Sequence, residues 1–233
     1  MAETAYKTAL IVGVGGGLSA SVARTFWNAG MTIALAARRA SELAPLAKEV
    51  GGKAFGCDAT KHAEVVKLFA DVESAVGAPA VVVYNASYRT RGPLVELDPV
   101  EVEKSLIVSA FGGFLVAQEA VKRMLPKAHG AVLFTGASAS VKGYAQSAPF
   151  AMGKFALRGL AQSMARELAP QGLHIGHIVV DGGIRSAARP NAPDKPDSML
   201  DPDAIAQTYL DLLRQPRSAW AWEIELRPWV ERF

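Results

Sequence analysis

The chain reads as a single α/β domain, 1–233: a doubly wound parallel sheet of about seven strands with helices on both faces. Three observations predict it. Short apolar runs alternate strictly with stretches of helical spacing, with no internal repeat and no long linker. The apolar runs are near-continuous, as in Ala80-Val-Val-Val-Tyr84, the pattern of strands covered on both sides. The length of 233 residues, half of them hydrophobic, suffices for one buried core.

Strands are expected at 7–13, 31–37, 53–57, 79–85, 130–136, 173–180 and, more weakly patterned, 221–226. Helical spacing covers 17–29, 40–50, 61–76, 99–125, 148–169 and 202–214. The first strand runs into Gly13-Val14-Gly15-Gly16-Gly17-Leu18-Ser19, and Ser21-Val-Ala-Arg-Thr-Phe-Trp27 then has the spacing of a helix. That order is strand, tight glycine turn, helix. Glycines let the backbone take positive φ and let a ligand approach without meeting a Cβ, and the helix start offers free N–H groups suited to a phosphate. At the first crossover of such a sheet, this turn points to a dinucleotide.

The second strand ends Ala37-Arg38-Arg39. A fold that selects NAD usually carries an acid there for the ribose 2′-OH; two arginines suit the 2′-phosphate of NADP instead, so NADP is expected over NAD. The third strand ends Cys57-Asp58-Ala59-Thr60, where Asp58 serves either as the cap of the next helix or as acceptor for the adenine amino group. The fourth ends Tyr84-Asn85-Ala86-Ser87, small and polar residues where a strand's carboxyl end faces a cofactor. The fifth ends Phe134-Thr-Gly136-Ala137-Ser138, and the sixth Val180-Asp181-Gly182-Gly183-Ile184. A proline-rich polar segment, about 186–200, follows and reads as a short substrate loop. Asp201-Pro202 reads as a cap with proline in the first turn of the last helix. The tail from Trp220 to Trp229 holds three of the four tryptophans and suits either a last strand over the core or an oligomer contact.

These motifs, in this order and spacing, resemble the short-chain dehydrogenase/reductase family over about residues 6–226. The family's opening Thr-Gly-x-x-x-Gly-Ile-Gly is met by Val12-Gly13-Val-Gly-Gly-Gly17-Leu18-Ser19, with two glycines matched and the first and last positions changed. Asp58 matches the family's adenine-binding acid, Tyr84-Asn85-Ala86-Ser87 resembles its Asn-Asn-Ala-Gly, and Val180-Asp-Gly-Gly183-Ile184 resembles its Asn-Pro-Gly segment. The resemblance implies a Rossmann fold and a cofactor held by Gly13, Gly15, Gly16, Gly17, Leu18, Arg38, Arg39, Asp58, Ala59, Asn85, Ala86, Ser87, Lys154, Gly182, Gly183 and Ile184. It also implies pairing of the 99–125 and 148–169 helices between subunits, hence a homodimer or homotetramer.

The catalytic positions depart from that pattern. The family's Tyr-x-x-x-Lys reads Phe150-Ala-Met-Gly-Lys154; the lysine is kept and the phenol is absent. The serine position aligns with Ala137, one place from Ser138, and the helical asparagine position with Ser109. Phenylalanine cannot transfer a proton, and losing a positioned acid costs about 10²–10⁴-fold in rate. Lys154 is still suited to the nicotinamide ribose, and Tyr144, Ser138, Ser140, Ser147 and Tyr88 are replacement hydroxyls in segments expected to border the crevice, Tyr144 foremost.

Two functions follow: an NADP(H)-linked oxidoreductase of a small carbonyl or alkene, or a cofactor-binding protein without catalysis, serving as sensor or assembly partner. A serine hydrolase is excluded: Gly136-Ala-Ser138-Ala-Ser140 lacks the last glycine of the nucleophile elbow, and no histidine follows His177 to complete the triad order. The net charge of +3, scattered among acids, excludes a nucleic-acid partner. No apolar run reaches eighteen residues, and the N-terminus lacks a signal pattern. The single Cys57 fits a reducing cytoplasm, and His62, His129, His174 and His177 form no metal-ligand spacing.

Overall fold

Five consecutive apolar or β-branched residues, all buried, form strand β1 (Thr8–Val12). Because neither face is polar, β1 needs cover on both sides and takes the middle of the sheet. In the computed structural model, which describes residues 5–186, 189–191 and 194–231, it is followed by α1 (Leu18–Asn28), β2 (Thr32–Ala37), α2 (Ala44–Glu49), β3 (Lys53–Gly56), α3 (His62–Val76) and β4 (Val81–Tyr84). The second half holds α4 (Pro99–Leu106), α5 (Gly112–Met124), β5 (Gly130–Thr135), α6 (Ala148–Leu168), β6 (Leu173–Val180), α7 (Pro202–Leu213) and β7 (Glu223–Leu226). The strands form one seven-stranded sheet in the order β3-β2-β1-β4-β5-β6-β7. Every neighbouring pair is parallel. The order reverses between β1 and β4, so a crevice opens at their carboxyl ends.

Alternation along the strands divides the core between two faces. Ile11, Val83 and Leu133 pack under α1 and α7 with Val22, Phe26 and Tyr209. Leu10, Val82 and Phe134 pack under α3, α5 and α6 with Phe69, Val116 and Leu157. This is the expected doubly wound arrangement. Among the described residues, no helix is long and apolar enough to cross a membrane.

Two expected helices are interrupted. The stretch 40–50 opens as a 3₁₀ turn, Ala40–Leu43, before α2 begins. Pro45 lies in the first turn of α2, where its missing N–H and fixed φ are tolerated, so the α-helix starts at its doorstep rather than at residue 40. The stretch 99–125 is two helices joined by a π turn, Ile107–Phe111. A wider turn leaves a carbonyl outside the regular ladder, and the buried Tyr84 hydroxyl donates to Val108 O at 2.5 Å. Space for that phenol exists because residue 112 is glycine; a Cβ there would lie 2.5 Å from Tyr84 Oη.

Two cap expectations met different fates. Asp201 does accept from Asp203 N, with Pro202 in the first turn of α7. Asp58 does not cap α3, whose cap position is Lys61 without a side-chain bond. Its Oδ1 turns back to Thr60 N (3.1 Å) and Thr60 Oγ1 (2.7 Å) instead, while its own N–H donates to Glu64. The local Asx geometry is closer to hand than the helix start three residues on.

Candidate functional site

The crevice at the β1/β4 reversal is a cleft of about 880 Å³. Its walls come from the ends of successive strands: Gly13 after β1, Arg38 and Arg39 after β2, Asp58 and Ala59 after β3, and Asn85, Ala86 and Ser87 after β4. Gly13 has φ of +86°, and a Cβ on it would stand 2.3 Å from Ala86 N, so only glycine lets the turn close against β4. Asn85 Nδ2 donates to Ser19 Oγ (2.6 Å), which donates to Gly13 O (3.2 Å), tying the turn to the strand beside it. Gly15, Gly16 and Gly17 are exposed, and a Cβ on any of them would meet nothing within 4 Å. That open space, above the first N–H groups of α1, is where side chains would otherwise obstruct a phosphate. Leu18 differs: its side chain is buried in the core, which leaves only its backbone to the turn.

The two arginines are not equivalent. Arg39 Nε pairs with Glu42 at 2.7 Å, on the 3₁₀ turn that replaces the expected helix start. Arg38 has no ion pair among the described residues and lies near enough to Asp58 to favour its ionised form. Burial works against that ionisation, but the Thr60 hydrogen bonds and the charges of Lys61 and Arg38 outweigh it and hold the Asp58 carboxyl below its usual range. Cys57 is buried at the cleft wall; burial, with the charges of Glu64 and Asp58, pushes its thiol up to about 12, so it is no nucleophile.

The catalytic positions lie beyond the cleft wall, along α6 and the ends of β5 and β6. Lys154 is buried and donates from Nζ to Thr135 O at 2.7 Å. Burial, and secondarily the charge of Arg89, lower its pKa to about 8. Phe150, one turn earlier, is buried with its ring centroid 5.8 Å from Lys154 Nζ. The guanidinium of Arg89 rests over that ring at 4.1 Å. Ser109 lies buried in the π turn, where its Oγ accepts from Tyr88 N at 3.4 Å. Ala137 N donates to Ser140 Oγ at 3.1 Å, so Ser140 faces its own turn. Ser147 is buried at the start of α6. Tyr88 lines the cleft, but its hydroxyl is engaged by Glu101.

Ser138 and Tyr144 flank a Lys142–Asp181 pair, Ser138 on the acid and Tyr144 on the lysine. Asp181, buried at the end of β6, takes a hydrogen bond from Ser138 and one from Lys142 Nζ at 3.0 Å. Burial opposes its charge, yet those bonds and the charges of Lys142 and Arg227 keep the carboxyl below its usual range. Lys142 in turn bears on the Tyr144 hydroxyl, with its Nζ 6.0 Å from the ring centroid. The Asp181 hydrogen bond raises the Lys142 pKa, so the ammonium stays charged. Tyr144 is half exposed in the loop before α6. Gly182, Gly183 and Ile184 follow Asp181; they are absent from the cleft wall, and Ile184 bridges to Leu200.

Sequence reasoning did not single out Lys142, Asp181 or Arg89. The aspartate standing in for an asparagine was visible. Its partner is 39 residues away, joined to it only by the β5–β6 pairing that sets Thr135 beside Ile178.

Comparison with known proteins bears on the family and the fold. Residues 7–196 match the family described as short chain dehydrogenase. A crystallised short-chain dehydrogenase from Rhodopseudomonas palustris is 32% identical, covers 96% of this chain and 99% of its own, and superposes with a TM-score of 0.82. An alcohol dehydrogenase from the archaeon Thermococcus sibiricus, complexed with 5-hydroxy-NADP, shares the fold at 24% identity, 97% and 98% coverage and a TM-score of 0.86. An uncharacterized oxidoreductase of Staphylococcus aureus is 25% identical over 228 residues, 95% of this chain and 97% of its own length.

Proposed function

Since the chain belongs to the short-chain dehydrogenase family, we propose that it is an NADP(H)-dependent oxidoreductase of a small carbonyl or alkene, working through an atypical proton donor. The observation that carries this is the Tyr144–Lys142–Asp181–Ser138 group at the carboxyl ends of β5 and β6, a phenol beside a fixed ammonium.

Bound NADPH supplies a hydride. Gly13, Gly15, Gly16, Gly17 and the Leu18 backbone cradle its pyrophosphate at the start of α1. Arg38, free of an ion pair among the described residues, takes the 2′-phosphate, whereas Arg39 is already held by Glu42 and adds only charge. Asp58 spends Oδ1 on Thr60 and keeps Oδ2 for the adenine amino group, with Ala59 beside it. Asn85, Ala86 and Ser87 support the nucleotide along the cleft; Gly182, Gly183 and Ile184, outside that wall, are assigned to its nicotinamide end on the family resemblance alone. Lys154 has N–H groups beyond the one given to Thr135 and offers them to the ribose.

The substrate oxygen receives its proton from Tyr144. Lys142 steadies the phenolate that remains, and Asp181 steadies Lys142. This is the division of labour the family assigns to its tyrosine and lysine, moved from α6 to the loop ahead of it. A second reading, a cofactor-binding protein without turnover, is favoured by Phe150 alone, since a phenyl ring under Arg89 fills the place of the family's phenol. Copies of the chain associate as a homodimer or homotetramer through exposed apolar residues around α5 and α6, including Phe111, Phe114, Met152 and Phe155.

NADPH oxidation across ketones, quinones and enones tests the two readings. Turnover of at least one substrate, slowed about 10²-fold or more in Tyr144→Phe, is the expected result. Turnover unchanged in that variant removes Tyr144 as donor, and no turnover with bound NADPH favours the second reading.

A further inference from the structure

Arg89 is an exposed cation seated on an aromatic ring next to the cleft. It follows directly on the cleft-lining residues 85–88 and lies over the Phe150 ring, 4.1 Å from its centroid. Its charge reaches the Lys154 ammonium one turn further along α6. Arg91 is two residues on, where Gly92 N donates to Gln146 O at 3.1 Å and fastens this segment to the loop carrying Tyr144. Arg189, from the segment after β6, also bears on Arg89. Burial first, then Arg91 and Arg189, depress the Arg89 pKa.

Several other arginines are neutralised, although Arg38, Arg166 and Arg217 also have no ion pair among the described residues. Arg24 pairs with Glu49, Arg123 with Glu73 and Glu119, Arg158 with Glu223, and Arg185 with Asp201. Arg89, Arg91 and Arg189 have no carboxylate partner among the described residues. Arg91 and Arg189 both act on Arg89, and like charges so placed repel one another unless an anion joins them. The 2′-phosphate does not serve here, because Arg38 stands after β2 at the other end of the cleft wall. A guanidinium lying on a ring keeps its N–H edge free, and that edge matches the paired oxygens of a carboxylate or phosphate.

We propose that Arg89, seated on Phe150 and assisted by Arg91 and Arg189, binds an anionic group of the substrate, so that the substrate is a small carbonyl compound bearing a carboxylate or phosphate. Phe150 then has a task of its own: its ring is the platform that holds the guanidinium flat. The proposal rests on the oxidoreductase reading for its substrate but not for its anion site.

The experiment pairs substrates that differ only in charge: 2-oxobutanoate against its methyl ester, and dihydroxyacetone phosphate against dihydroxyacetone. Turnover with NADPH is measured for wild type and Arg89→Leu. In parallel, calorimetry follows oxamate and inorganic phosphate, with and without saturating NADP+. The charged member of one pair is expected to be preferred at least tenfold in kcat/KM, the pair identifying carboxylate or phosphate. Arg89→Leu should raise KM for that member tenfold or more and leave its neutral counterpart within twofold. Equal losses for charged and neutral substrates would mean a stacking role only and overturn the proposal, as would the absence of any charge preference together with anion binding unchanged in Arg89→Leu. Anion binding that depends on Arg89 without any turnover keeps the anion site and sinks the oxidoreductase reading. Turnover of neutral substrates alone does the reverse. Should Arg89→Leu fail to fold, Arg91→Gln, exposed and off the ring, carries the same comparison, with a severalfold rise in KM for the charged member only.

Discussion

Lys154 is a lysine kept from water, and its stability effect follows from when it is charged. The unfolded chain holds this proton up to about 10.5 and the folded chain only to about 8. Between those values the unfolded state binds more protons, so stability rises with pH. Below about 8 the ammonium is charged in both states and its burial penalty is felt in full. Lys154→Met should therefore stabilise the fold at pH 7 by up to about 3 kcal/mol, less about 1 kcal/mol for the lost bond to Thr135 O. Urea unfolding of both proteins from pH 7 to pH 10 should show that advantage shrinking; an advantage constant with pH would refute the assignment. Arg38 makes the other prediction at this scale. With Arg39 tied to Glu42, Arg38→Ala should weaken NADPH by roughly 1–3 kcal/mol, the range for a charge-assisted contact, and NADH hardly at all. Calorimetry showing equal losses, or wild type binding NADH more tightly, would contradict it.

The π turn between α4 and α5 is the element on which the site's second wall depends. It places Ser109 beside Tyr88, and Gly153 lies so close that a Cβ there would be 2.8 Å from Ser109 Cβ. Its hold is the Tyr84 hydroxyl on Val108 O, admitted by Gly112. Gly112→Ala should cost about 1–3 kcal/mol, the range for overpacking, because the new methyl meets both Tyr84 Oη and Ala59 O. In the Tyr84→Phe background the same change should cost distinctly less, which a double-mutant cycle by denaturant unfolding measures. This turn also marks where sequence reading stops. The strands were legible because each is a short apolar run on a period-two backbone, and β1 and β4 were recovered within two residues. A π turn inserts one residue and then resumes the helical period, so 99–125 reads as continuous although Gly112-Gly113 stood at the break. Gly13, Arg38, Asp58 and Asn85 were readable as residues of the candidate site because each lies within two residues of a strand's carboxyl end. The Ser138–Asp181–Lys142 contacts were not, because they arise from two loops that only the β5–β6 pairing sets side by side.

For the whole molecule, the exposed Phe111, Phe114, Met152 and Phe155 leave the α5–α6 side more apolar than a lone chain needs. Light scattering at micromolar concentration should give a dimer or tetramer, and Phe114→Glu with Phe155→Glu should shift it to monomer. A wild-type monomer would refute the assembly. The sheet order carries one more consequence, for the growing chain. Val12 is hydrogen-bonded through its strand to β2 on one side, and on the other it waits for Tyr84. Until β4 has been synthesised, one edge of the central strand has no neighbour, and its row of N–H and C=O groups is open to any passing chain. β5, β6 and β7 extend the sheet from β4. The time of greatest hazard in this protein's life thus falls early on the ribosome, and it ends when the residues from Val81 to Tyr84 emerge and pair with β1.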